Sequence, residues 1–213
     1  MKEIIDELTA VTRVTGAAKT PAGDGQRIAL SRTYAAGIEE VWDALTSAER
    51  ISRWFLPVSG DLRLGGRYQF EGNAGGQILA CEPPRLLRVS WEMGPPGPDS
   101  FSEVEVRLST VDDGTLFEME HTATVPPDMW DQYGPGAVGV GWDLSLLGLA
   151  LHLRPGDEVP EDKLAWALSE EGRAYHTASA QAWGEASLAA GADPDTVAAN
   201  VAATTAFYVP PQE

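Results

Sequence analysis

The sequence is poor in cysteine and lacks a secretory signal. Cys81 is the only cysteine in 213 residues, so no disulfide can form within the chain. The first residues, MKEIIDELTAVTRV, mix acids with short apolar pairs and lack a basic start followed by an apolar core. Both features predict a cytoplasmic protein.

Positive charge is also scarce. The chain has 15 lysines and arginines against 32 aspartates and glutamates, which gives a formal net charge of −17. Such a chain repels phosphate backbones and anionic lipid head groups. The composition therefore argues against nucleic acid and membrane surfaces as partners.

The usual motifs of metal and nucleophilic catalysis are missing. The three histidines (His121, His152 and His176) lie on separate predicted elements, and HxH, HExxH and CxxC spacings are absent. GxSxG and GxxxxGK[ST] sequences are absent as well. Cys81 has no neighbouring base to activate it. We predict no metal, no cofactor and no catalytic residue, which favours a protein that is not an enzyme.

One long stretch with little charge is present, from Gly134 to Leu153. Its apolar residues recur at the spacing of one helical face, at Trp142, Leu146, Leu149 and Leu153. A membrane span needs about 20 apolar residues without charge, whereas Asp143 interrupts this stretch. The pattern predicts a buried helix from Val138 to Leu153.

The residues before this helix alternate as strands do. Leu87, Val89 and Trp91 share one face of a predicted strand, and Phe117, Met119 and His121 share the inward face of another. A mostly antiparallel sheet followed by one long apolar helix predicts a sheet curled around that helix, with a cavity between them.

The chain divides by pattern into three parts. Residues 1–25 are predicted to be an N-terminal arm, with helical spacing from Lys2 to Val14 and a linker from Gly16 to Gly25. Residues 26–154 form the main domain. Residues 155–213 form a helical extension, with one long helix from Pro160 to Ala190 and a last helix opened by Asp193. This hairpin is expected to pack on the domain or on a second subunit.

Five segments together resemble a known family. They are RTYAAGIEEVWDALTSAERISRWF, DLRLGGRYQF, GQILACEPPRLLRVSWE, GTLFEMEHT and GVGWDLSLLGLALHL, spread in this order over residues 26–153. Their combination resembles the START-like (SRPBCC) superfamily and, within it, the bacterial AHSA-type proteins, similar to activators of the heat-shock ATPase. The resemblance implies an α+β helix-grip fold, a curved antiparallel sheet around a long C-terminal helix, here with an extra C-terminal helical hairpin.

The candidate site follows from the inward-facing bulky residues. A sheet that curls around one helix tends to leave space that rings line, although the same residues also suit a packed core. His121 is the one member that titrates near neutral pH, and a lone inward histidine more often has a structural role. The predicted ligand-binding set is Trp54, Tyr68, Phe70, Trp91, Met119, His121, Trp142 and Leu146.

Fold alone does not select a function. The preferred hypothesis is binding of a small, largely apolar molecule. One alternative is an enzyme of the polyketide-cyclase or hydratase type, which needs at least two converging polar side chains. The other is a chaperone-related or regulatory protein-interaction module, which needs an exposed apolar patch. A homodimer, a chaperone or another protein partner stays open.

Overall fold

The computed structural model describes residues 2–95, 97, 100–154, 156, 160 and 162–210, with the side chains of Lys2 and Glu3 left out. The chain divides into two compact units. The sheet unit comprises Ala17–Thr124 and Gly148–Val159, and the helical unit comprises Met1–Gly16, Val125–Leu147 and Pro160–Glu213. The domain boundaries expected at residues 25 and 154 stay a prediction.

The sheet unit is built on eight antiparallel strands in the order β1-β2-β8-β7-β6-β5-β4-β3. The strands are β1 (Thr12–Thr20), β2 (Gly23–Tyr34), β3 (Val58–Gly60), β4 (Arg67–Phe70), β5 (Gly75–Glu82), β6 (Leu86–Ser90), β7 (Ser102–Val111) and β8 (Gly114–Ala123). Only the second half of β1 belongs to this unit. Most neighbours in the sheet follow each other in the chain, as a meander requires.

The buried face of the central strands is the one that the alternation predicts. Val104 and Val106 on β7 are buried, and so are Phe117, Met119 and His121 on β8. The register places Val104 opposite His121 and Val106 opposite Met119. One sheet face therefore carries the apolar residues of both strands together with one histidine.

Two short helices lie between β2 and β3. They are α2 (Ile38–Thr46) and α3 (Ala48–Trp54), and Val41 and Ile51 are their buried anchors. The long apolar stretch forms α5 (Gly136–Leu153), whose last residues, from Gly148, belong to the sheet unit. An added Cβ at Gly148 would lie 2.5 Å from the Trp54 carbonyl oxygen. Only glycine lets the end of α3 approach the helix backbone so closely.

The helical unit combines segments from both ends of the chain. It contains α1 (Lys2–Thr9), α4 (Pro127–Tyr133), the first part of α5, α6 (Lys163–Leu168), α7 (Glu170–Ala189) and α8 (Pro194–Tyr208). The last two helices form the predicted hairpin. Gly191 follows α7 with a φ of +89°, and the Asp193 carboxylate accepts a hydrogen bond from the Thr196 backbone N–H at the start of α8.

Three predictions of local structure were wrong. The expected linker from Gly16 to Gly25 is mostly strand, because β1 continues to Thr20 and β2 begins at Gly23. The helix expected from Lys2 to Val14 ends at Thr9, because the β-branched residues between Thr9 and Thr15 favour a strand, and β1 begins at Thr12. The expected single helix from Pro160 to Ala190 is two helices, because the Ser169 hydroxyl accepts a hydrogen bond from the Gly172 backbone N–H and starts α7 anew.

By length and composition, α5 is the one described helix that could cross a membrane. Half of this segment, Gly136–Leu153, is buried inside the protein. The core helix of a soluble protein has the same properties, so this observation is weak evidence for a membrane.

Candidate functional site

Five aromatic rings meet at one end of the sheet unit. Phe70 is at their centre, with ring centroids 4.9 Å from Phe55, 5.3 Å from Tyr68 and 5.7 Å from Trp91. Trp54 joins through Phe55, at 5.7 Å. We call these five residues the aromatic cluster. It contains four of the eight residues predicted for the site.

The two residues at the end of α3 are fixed by backbone contacts. The Trp54 indole Nε1 donates a hydrogen bond of 2.9 Å to the Ala44 carbonyl on α2. The Phe55 backbone N–H donates to the Ile51 carbonyl and closes the last helical turn. Both rings stay half-buried, so they retain accessible surface.

Tyr68 is the buried member of the cluster. It pairs with Gly76 across β4 and β5, and its hydroxyl donates a hydrogen bond of 2.7 Å to the Ser90 carbonyl on β6. A Cβ at Gly76 would lie 2.1 Å from that same carbonyl oxygen, so glycine is required there. Burial raises the pKa of Tyr68 well above its usual range, so this phenol stays neutral.

His121 and Met119 are buried on β8, and His121 has a polar neighbour that the sequence did not reveal. The His121 Nε2 and the Ser102 Oγ are 2.9 Å apart and share a hydrogen bond. Burial lowers the pKa of His121 to about 4. The imidazole is therefore neutral throughout the physiological range.

Strand pairing connects this histidine to the aromatic cluster. The Trp91 backbone N–H donates to the Ser102 carbonyl at 2.8 Å, just beyond the last paired residues of β6 and β7. Val89 opposes Val104, and Val104 opposes His121. Since side chains alternate along each strand, Trp91, Ser102 and His121 lie on one sheet face. Ser102 stands between the rings and the imidazole.

The remaining two predicted residues belong to the helical unit. Trp142 and Leu146 lie on the part of α5 assigned to that unit, where Leu146 is buried and Trp142 is half-buried. Six of the eight predicted residues are thus found in the sheet unit. Phe55 is the clearest omission from the prediction, although it directly follows Trp54 in the sequence.

The helical unit has a polar node of its own at Asp143. This side chain is fully buried and accepts hydrogen bonds from Arg13, Ser179 and the Trp183 indole. Burial raises the pKa of Asp143, and Arg13 acts in the opposite direction. With an exposed fraction of 0 % for Asp143 and 7 % for the Arg13 side chain, no substrate can reach this pair. We interpret the node as structural.

Among the described residues, the helical unit also contains a small cavity between α7 and α8. Its walls include Tyr133, Trp183, Gly184, Val197 and Thr204, and its volume is about 10 Å³. This is room for about one water molecule, so the cavity is too small for an organic ligand. Among the described residues, no three histidines, cysteines or acids gather where they could bind a metal ion.

Sequence comparison identifies the family. The family described as Activator of Hsp90 ATPase homolog 1-like protein matches residues 35–154, more than half of the chain. The chain belongs to this family. The resemblance to AHSA-type proteins is confirmed, and so is the α+β helix-grip fold class with additional C-terminal helices.

Solved structures of similar proteins agree with this assignment. The solution structure of CalU16 from Micromonospora echinospora is 40 % identical, covers 86 % of this chain and 97 % of its own, and has a TM-score of 0.68. Its crystal structure is 38 % identical, covers 81 % of this chain and 98 % of its own, and has a TM-score of 0.61. This coverage exceeds residues 35–154, so part of the flanking structure is shared with CalU16.

A more distant match is the crystal structure of MLL2253 from Mesorhizobium loti. It is 25 % identical, covers 62 % of this chain and 98 % of its own, and has a TM-score of 0.53. A search of curated proteins found no match. Family membership fits binding of a ligand or of a protein in general, and the choice between these depends on the site.

Proposed function

We propose that the protein binds a small, largely apolar molecule at the aromatic cluster and carries out no reaction on it. The observation that supports this most is the partial burial of the rings. Trp54, Phe55, Phe70 and Trp91 are all half-buried, although they contact one another as core residues do. Rings with accessible faces can stack on an apolar ligand and gain affinity from the buried area.

The charges beside the cluster support a ligand without charge. Arg67 and Glu92 adjoin Tyr68 and Trp91 in the chain and form an ion pair of 2.8 Å, but alternation along the strands places their side chains on the opposite face of the sheet. Glu92 also accepts a hydrogen bond from the Ser90 hydroxyl. Because this ion pair is neutral as a whole and lies away from the ring face, affinity comes mainly from apolar area.

The enzyme alternative has one observation in its favour, the meeting of Ser102 and His121 at 2.9 Å. A polyketide-cyclase or hydratase needs two converging polar groups of this kind. A general base works best with a pKa near the working pH, and burial lowers the pKa of His121 to about 4. This base is too weak at neutral pH, which favours binding without catalysis.

The protein-interaction alternative is supported by exposed apolar side chains of the helical unit. Leu164 is 71 % exposed and Phe207 is 64 % exposed. Apolar side chains exposed singly are common on protein surfaces, so this support is weaker than that of the aromatic cluster.

The test is binding of a neutral hydrophobic fluorophore, N-phenyl-1-naphthylamine, to the native protein. We expect saturable binding that Trp91→Ala weakens more than His121→Ala does, since ring area supplies the affinity. Phe207→Ala is the matched control, because it removes an exposed aromatic residue outside the cluster. Equal binding by the parent and Trp91→Ala would refute the site. Turnover of an aromatic polyketide or an epoxide that His121→Ala abolishes would refute the non-enzyme part.

A further inference from the structure

Trp91, Ser102 and His121 together indicate which polar group the ligand carries, which the aromatic cluster alone does not. The cluster presents ring faces, and the polar groups of two of its members are occupied within the protein. The Trp54 indole donates to Ala44 and the Tyr68 hydroxyl to Ser90. The polar side chain that follows Trp91 on this sheet face is Ser102.

Ser102 has hydrogen-bonding capacity left after its contact with His121. A serine hydroxyl has one donor and two acceptor positions, and the side chain of Ser102 uses one of them, toward the His121 Nε2. Ser102 is half-buried, whereas His121 is 7 % exposed. A ligand above the strands would therefore meet the serine hydroxyl before the imidazole.

The pair can serve either a donor or an acceptor on the ligand. If the Ser102 hydroxyl donates to the imidazole, the serine oxygen can accept from a ligand hydroxyl. If the imidazole N–H donates to the serine oxygen, the serine proton can go to a ligand carbonyl. In either tautomer of the neutral imidazole, the serine hydroxyl keeps a position for a neutral group on the ligand.

Charged groups are poorly served at this position. Arg67 pairs with Glu92 on the opposite face of the sheet, and the molecule carries a net charge of −17, which disfavours an anion. Arg32 is a buried cation on the same sheet face. It lies on β2, four residues from Ile28, and Ile28 is the residue that pairs with His121. That spacing is about 13 Å, and Arg32 lies over the Tyr34 ring at 4.5 Å.

We infer that the ligand is a neutral molecule with a flat apolar ring system and one hydroxyl or carbonyl group, and that Ser102 is the residue that selects this group. The inference rests on the proposed function, because it assumes that the aromatic cluster holds the ring system. It goes further in naming the polar group and the residue that recognises it.

The experiment compares three probes with the same ring system: naphthalene, 2-naphthol and 2-naphthoate. Their affinities are measured at pH 7 by equilibrium dialysis with the parent, Ser102→Ala, Trp91→Leu and Ser109→Ala. Ser109 lies on β7 like Ser102 but is exposed, so it is the matched control. The decisive quantity is the ratio of the 2-naphthol to the naphthalene affinity, because differences in ring burial cancel in this ratio.

We expect Ser102→Ala to lower this ratio about fivefold, as the loss of one neutral hydrogen bond predicts, and Ser109→Ala to leave it unchanged. Trp91→Leu should weaken both neutral probes together. In the parent, 2-naphthoate should bind most weakly of the three. Circular dichroism of each variant checks that it is folded.

Two kinds of failure are distinguishable. If naphthalene does not bind to the parent, or if Trp91→Leu binds it as well as the parent, the proposed function is wrong. If naphthalene binds through the rings but Ser102→Ala leaves the ratio unchanged, the role of Ser102 is wrong and the proposed function stands. Tightest binding of 2-naphthoate would overturn the inference in favour of a cationic subsite at Arg32.

Discussion

His121 is buried in the sheet unit and shares a hydrogen bond with Ser102. Burial lowers the pKa of all three histidines, and for His121 the value falls from 6.5 to about 4. The unfolded chain therefore binds a proton at this residue between pH 6.5 and pH 4, whereas the folded protein does not. The contribution of His121 to stability is complete above pH 6.5 and is lost as the pH falls toward 4.

We predict that His121→Gln makes the protein less sensitive to acid. For a pKa shift of this size the parent loses about 2 kcal/mol of unfolding free energy at this one residue between pH 7 and pH 5. Glutamine keeps a hydrogen-bonding side chain but does not titrate, so this loss should be absent from the variant. The measurement is urea unfolding of both proteins from pH 7 to pH 5. Parallel pH profiles for the two proteins would show that His121 is not buried as a neutral group.

At the scale of the element, two of the four glycines of α5 lie in different surroundings. A Cβ at Gly148 would meet the Trp54 carbonyl oxygen at 2.5 Å, whereas a Cβ at Gly141 would meet only the Tyr208 hydroxyl at 3.7 Å. The first contact is too short to form without a backbone shift. The second is an ordinary van der Waals contact.

We predict opposite effects for alanine at these two positions. Gly148→Ala should cost about 1–3 kcal/mol, because a rigid backbone must move, and it should displace Trp54 from the aromatic cluster. Gly141→Ala should be neutral or stabilising by up to about 1 kcal/mol, because alanine is the better helix former. Denaturant midpoints give the stabilities, and the tryptophan emission of each variant reports on Trp54. A Gly148→Ala protein as stable as Gly141→Ala would contradict the close approach of α3 to α5.

The elements show how far sequence patterns determine the structure. Alternation predicted the buried face of β7 and β8, because a side chain's face on a strand depends only on whether its number is odd or even. Periodicity placed Phe55 on the apolar face of α3, but it could not show that this ring contacts Phe70 on β4, at 4.9 Å, so Phe55 was left out of the predicted site. Ser102 was not predicted as a site residue, because its contact with His121 depends on strand register, which local alternation does not reveal.

At the scale of the whole molecule, the helical unit is assembled from three distant stretches of chain. Asp143 on α5 accepts hydrogen bonds from Arg13 near the N-terminus and from Ser179 and Trp183 on α7. Arg13 also donates to the Leu8 carbonyl near the end of α1. Sequence patterns alone indicated only that Asp143 argues against a membrane span. They could not show its partners, because these lie 36 to 130 residues away in the chain.

The last prediction tests whether the pair of Asp143 and Arg13 holds these stretches together. Arg13→Met and Asp143→Leu should each cost about 3–5 kcal/mol, because each leaves the other charge buried without its partner. The double variant should cost less than the sum of the two, because no unpaired charge then remains in the interior. Arg53→Met is the control, since its ion pair with Glu49 has side chains 59 % and 78 % exposed, and its loss should cost less than about 1 kcal/mol. Urea unfolding at pH 7 measures all four proteins against the parent. Additive losses no larger than that of the control would show that the N-terminal segment is not tied to α5 through this pair.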